Sequence, residues 1–178
     1  MQGFVNLGAD FGTAIAILIP LICYLMGGGL LIASIYGFWQ WLNPSHSPRH
    51  PWMPFAALFT SAALLSYDRM LNFANRTFGG GVRTSLSGNL TSYTPPTLNA
   101  GTFVGATPED TLLNIITAFE LFFEAYGALV VLFGLMGLYH VMQGNQQHTM
   151  GKPIVQIVFG IGVMNVLAIA TTVMGYFA

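Results

Sequence analysis

The chain has 178 residues, of which 54% are hydrophobic and only 6% charged, and its mean hydropathy is +0.64. A water-soluble domain carries about 25% charged residues, so this composition excludes an ordinary soluble surface and points to lipid or sister copies as its surroundings. The formal net charge of −1, with Lys and Arg scattered, argues against a phosphate-binding or nucleic-acid-reading face.

Residues Met1 to Phe11 lack the basic start of a signal peptide, so the first apolar segment is expected to be retained. A bilayer core of about 30 Å needs roughly 20 apolar residues in a helix. The first such run spans Thr13 to about Leu42 and holds no charge. Within it, Pro20, Gly27, Gly28 and Gly29 predict a kink and a close helix contact. Cys23 has no cysteine partner and reads as a small buried hydrophobe. Asn43-Pro44 ends the run, and Trp39, Trp41 and Trp52 flank the short loop that follows, where an aromatic belt would lie.

The second run spans Trp52 to about Ala74 and stays apolar until Asp68-Arg69, with Pro51 and Pro54 at its start. A polar stretch rich in Gly, Ser, Thr, Asn and Pro then extends from Asn75 to Asp110. Alone in water such a stretch is expected to be mobile, and packing between neighbouring subunits is expected to hold it. Thr107-Pro108-Glu109-Asp110 opens the third run with acidic residues near the positive end of the helix dipole. That run covers Thr111 to about Met142 and is interrupted only by Glu120 and Glu124. The fourth, Pro153 to Phe177, is again free of charge. Barrel strands are disfavoured, because the runs are long and lack alternation.

The expected fold is all-α: a single membrane domain, 1–178, with four long apolar helices arranged as two tandem helical hairpins. An N-terminal segment (1–12) precedes the first hairpin (13–76), and a polar Gly/Ser/Thr-rich connector (77–110) leads to the second hairpin (111–178). The halves match loosely, as in Tyr24-Leu-Met-Gly against Phe133-Gly-Leu-Met-Gly, and shared membrane composition explains this as well as duplication does. Both hairpins would run in the same sense, unlike the inverted repeats of many transporters. Basic density places the short loops, with Arg49 and Lys152, in the cytoplasm, and the termini and connector opposite.

Candidate chemistry is sparse. Glu120 and Glu124 share a helix face, and Asp68, Arg69 and Arg76 lie toward the same side of the bilayer, forming a candidate ion-pair cluster; solvation at the interface is the alternative. His46 and His50 flank Pro48 in a loop and His148 stands near Lys152, with no local Cys or carboxylate, so no metal site is expected. Contact of Arg49, Lys152, His46, His50 and His148 with a lumen or lipid head groups suits them better. No phosphate loop, nucleophile elbow or paired buried carboxylates point to an enzyme. Gly27, Gly28, Gly29, Gly134, Gly137, Gly160 and Gly162 are the expected helix-packing positions.

Phe11-Gly12 opens an apolar helix that contains Tyr24-Leu25-Met26-Gly27, followed by a Pro-bearing loop and Met53-Pro54-Phe55-Ala56-Ala57-Leu58. The hairpin closes on Arg76-Thr77-Phe78-Gly79-Gly80. This pattern resembles the small hydrophobic membrane proteins of type IVB secretion and IncI-type conjugation systems, the IcmC/DotE- and IcmD/DotP-like group and the TraQ-like plasmid proteins. Few lysines and a longer Ser/Thr-rich connector set this chain apart from them. The resemblance implies a non-enzymatic subunit of a conjugative or effector-secretion apparatus in a bacterial inner membrane. One form would be a pilin-like double hairpin that self-assembles into a tubular filament with bound phospholipid and no other cofactor, the short loops with Arg49 and Lys152 then facing its lumen. Its implied partners are copies of itself, membrane lipid, other apparatus proteins, and DNA or protein cargo in transit without sequence-specific binding. A fixed inner-membrane scaffold or channel component is the alternative. A small transporter or hole-forming protein is a third reading, weakened by few helices and no midplane polar site.

Overall fold

A computed structural model describes residues 2–43, 52–77, 108–143 and 149–176. They form seven helices: α1 (Gln2–Leu42), α2 (Trp52–Leu65), α3 (Tyr67–Thr77), α4 (Pro108–Ala118), α5 (Glu120–Met142), α6 (Gly151–Met164) and α7 (Val166–Gly175). No strand occurs among the described residues. Asn6–Leu42 and Glu120–Met142 are long and apolar enough to cross a membrane, and the bent pair α6–α7 makes a third crossing if taken as one span.

Four long helices were expected, but three of the four apolar runs are interrupted. The second breaks at Ser66, whose hydroxyl and amide both donate to the Ala62 carbonyl, at 2.6 and 3.0 Å. A serine that bonds back in this way bends a helix without ending it, and the ladder resumes with the Met70 amide on the Ser66 carbonyl at 3.0 Å. The third run breaks at Phe119 (φ −108°, ψ 11°), whose amide is shared between Ile115 and Ile116 carbonyls at 3.3 and 3.1 Å. The fourth breaks at Asn165 (φ −105°, ψ 24°), and α7 leaves α6 at 72°. The first run is longer than expected, since α1 begins at Gln2 and continues through Pro20. The supposed N-terminal segment is helical where Gly8 and Gly12 lie against Phe119 and Leu121 of α5.

Packing sets the directions of the helices. Ser34 and Gly37 of α1 meet Pro54, and Gly27 meets Leu64 and Leu65, so α1 and α2 are antiparallel. Gly134 and Gly137 meet Pro153, and Gly127 meets Gly160 and Met164, so α5 and α6 are antiparallel too. The contacts from Gly8 to Phe119 and from Gly12 to Leu121 make α1 and α5 parallel. Helix α5 is central, touching α1, α2, α4, α6 and α7. Ile19, Cys23, Leu71, Val131, Leu132 and Ile161 sit in the shared core.

The tightest seam joins α5 to α6. A Cβ on Gly127 would stand 2.5 Å from the Gly160 carbonyl oxygen and 2.8 Å from the Met164 nitrogen. A Cβ on Gly160 would stand 2.7 Å from the Gly127 carbonyl oxygen and 2.9 Å from the Val131 nitrogen. The obstacles are backbone, which cannot rotate away, so the two helices touch main chain to main chain. Gly127→Ala or Gly160→Ala is therefore expected to destabilise the fold by about 1–3 kcal/mol through overpacking. Gly162→Ala, with nothing within 4 Å of its Cβ, is expected to be neutral or stabilising by up to ~1 kcal/mol. Denaturant titration in micelles, followed by circular dichroism, measures both.

Candidate functional site

Helix α3 carries Asp68 in its first turn and Arg76 in its last, each suiting the helix dipole. Its buried face is Tyr67, Leu71 and Asn75, spaced four apart, so it continues the core stripe of α2 into a polar group. Asn75 is fully buried and its amide oxygen accepts from the Asn165 side-chain amide at 2.8 Å. The same Asn165 amide donates to the Ile161 carbonyl at 2.9 Å. Thus the residue that breaks the fourth apolar run also ties the two halves of the chain together.

Other buried donors follow the same rule. The Ser34 hydroxyl donates to the Pro54 carbonyl and the Ser61 hydroxyl to the Gly27 carbonyl, both at 2.8 Å. The Tyr67 hydroxyl donates to the Ala128 carbonyl of α5. Each of these bonds spans two helices, and in apolar surroundings such bonds hold helices together at about 0.6 kcal/mol on average. The Tyr67 and Asn165 bonds lie beside the interruptions at Ser66 and Asn165, whereas those of Ser34 and Ser61 join α1 to α2.

Two hollows open between the helices. One of about 350 Å³ opens between Pro20, Cys23 and Tyr24 of α1 and the Ser66 junction, and Asp68 and Arg69 line it. The other, of about 610 Å³, is almost wholly apolar and lies between Trp52, Phe55 and Phe59 of α2 and Met142 of α5. Cys23 is 3% exposed, inside the core.

The expected site residues separate into distinct places. Lys152 is exposed in the first turn of α6, whereas Arg49, His46, His50 and His148 lie outside the described residues, as does most of the connector. Among the glycines, Gly27, Gly134, Gly137 and Gly160 face another helix within 4 Å, while Gly28, Gly29 and Gly162 have nothing within that distance. Successive helical residues point about 100° apart, so Gly27, Gly28 and Gly29 cannot all face one partner. Asp68 and Arg69 line a hollow against α1, whereas Glu120 and Glu124 lie one turn apart on α5. Among the described residues no ion pair joins Glu120 or Glu124 to Arg69 or Arg76. No group of three or more His, Cys, Asp or Glu side chains gathers among the described residues.

Gly127, Ser34, Ser61, Asn75 and Asn165 are structural contributors that the sequence reading did not single out. Asn165 carried a usable signal, being a carboxamide deep in a charge-free apolar run. Gly127 stands seven residues before Gly134 and so shares its face, which was also readable.

No protein-family model, curated protein or solved structure matches the chain. If the Asn75–Asn165 bond couples the halves, a double-mutant cycle of Asn75→Ala and Asn165→Ala is expected to give a coupling energy of about 0.6–1.7 kcal/mol. A coupling of zero would show that the two side chains contribute independently.

Proposed function

We propose that this chain is a structural, non-enzymatic membrane subunit of a conjugative type IV (IVB-like) secretion apparatus, in its pilin-like form. The observation that carries the reading is the tandem arrangement of two antiparallel helix pairs lying parallel to each other, with an apolar outer face. Leu25 is 69% exposed, Ile32 70% and Phe59 69%, and lipid chains or sister copies are the surroundings that suit such a face.

The two ends of the bundle differ in charge. All six acidic residues, Asp10, Asp68, Glu109, Asp110, Glu120 and Glu124, fall in the segments leading toward the connector side. The stretches 11–67 and 125–178, which contain both short loops, hold no acid and carry Arg49 and Lys152. In a tubular assembly an acid-free end facing the lumen attracts lipid phosphates and does not repel passing DNA. In a membrane the same bias sets the short loops toward the cytoplasm. Phospholipid between subunits would fill apolar hollows such as the one beside Trp52 and Phe59.

The alternative is a fixed inner-membrane scaffold or channel component of the same apparatus. It draws on the 72° bend between α6 and α7, which suits a helix lying along one membrane face. Fractionation separates the two: a pilin-like subunit is recovered in sheared surface filaments, a scaffold stays with the inner membrane.

Gly28 has open space around it within the chain. Gly28→Leu is therefore expected to abolish filament assembly while membrane insertion and monomer stability stay unchanged, as read by filament yield and by unfolding in micelles. Arg49→Glu combined with Lys152→Glu is expected to reduce transfer at least tenfold with filament number nearly unchanged. Wild-type transfer in that double variant would remove the lumenal placement.

A further inference from the structure

Helix α6 has 14 residues and rises about 21 Å, well short of a hydrocarbon core of about 30 Å. Helix α7 adds 10 residues, carries no charge and has no buried residue. Yet α7 departs at 72° and rests on α4 instead of continuing the span. If Asn165 were helical, Gly151–Gly175 would make one rod of about 25 residues and roughly 37 Å, ample for a crossing.

Asn165 holds both sides of this balance. It is 3% exposed, and its amide nitrogen keeps the bend by bonding Asn75 and the Ile161 carbonyl. Its backbone amide is shared between Ile161 and Gly162 carbonyls at 3.2 and 3.1 Å, so the helical ladder is only half released. Its side-chain oxygen, in contrast, is buried with no hydrogen-bond partner. A buried acceptor left unpaired works against the state that buries it. The bent arrangement thus gains one interhelix bond and loses one acceptor, and because no α7 side chain is fully buried, with Val166, Leu167, Ala168, Ala170 and Met174 only partly covered, leaving α4 gives up partial packing and no core residue.

We infer that α6 and α7 form a hinged span: bent at Asn165, with α7 lying on α4, or straight, with α7 continuing α6 through the bilayer, the Asn75–Asn165 bond being the latch. The inference goes beyond the apparatus reading and holds equally for a filament subunit and for a fixed membrane component. Its driving variable is the thickness of the apolar layer, because a longer apolar rod is favoured where the bilayer is thicker.

The test uses spin labels at Thr117→Cys on α4 and Thr172→Cys on α7, both exposed positions, in a full-length Cys23→Ala background. The protein is placed in phosphatidylcholine vesicles with acyl chains from about 14 to about 22 carbons. In thin vesicles one short inter-label distance is expected. In thick vesicles a second population, longer by on the order of 10 Å, is expected to grow as α7 swings out. Asn165→Leu, which removes the latch and favours the helix, is expected to shift the distribution to the long distance even in thin vesicles. An unchanged short distance in the unlatched-capable parent protein across the whole thickness series overturns the hinge, whatever Asn165→Leu does. A long population that grows with thickness supports it even if Asn165→Leu does not fold.

Discussion

The seam between Gly127 and Gly160 is the contact on which the rest of the structure depends. Where no water is displaced, two apolar helices gain little by merely touching, and association relies on dispersion, close approach and polar bonds. With no Cβ at either position, α5 and α6 approach until main chain meets main chain. That approach brings Met164 against Gly127 and sets Asn165 beside α3, where Asn75 meets it. One close contact therefore positions the bond that joins the two halves. A bulkier pair of residues would push α6 outward and carry Asn165 with it.

The polar side chains of the interior have a common task. Ser34, Ser61 and Tyr67 each donate to a main-chain carbonyl on a neighbouring helix, and Asn165 donates both along its own helix and across to α3. In a low-dielectric layer such bonds fix register, because sliding the helices would strand a donor. The charged residues stand apart from this interior. Asp68 and Arg69 border a hollow at α1, Glu120 and Glu124 share a face of α5, and Lys152 is exposed at the far end. The result is a bundle with a polar-bonded interior and two chemically different ends.

The most apolar stretch of α1 has only 18% of its residues buried, against 44% for α5. Helix α1 thus presents a long greasy flank, including the open Gly28 and Gly29, to whatever surrounds the protein. Lipid chains and neighbouring copies are interchangeable as solvents for such a flank. The bend at Asn165 adds a second adaptable feature, since α6 and α7 together have enough apolar length to span and Asn165 supplies the one polar point at which the chain turns aside.

Composition and run length by themselves determined that the chain is helical and where its apolar stretches lie. Charge sparsity and unbroken hydropathy are summed over many residues and survive any local detail. The same sums could not place the interruptions at Ser66, Phe119 and Asn165, because each depends on one residue bonding back along its own turn or across to another helix. Nor could they divide the glycines. Gly27 packs and Gly28 does not, a distinction that arises from 100° of rotation and the position of a neighbour. The helical start at Gln2 was hidden by the polar Asn6 and Asp10, and contact with Phe119 and Leu121 explains it. Local pattern states what a segment prefers, whereas only the packed arrangement decides which face meets which partner, and in this protein the decisive contacts lie between segments far apart in the chain.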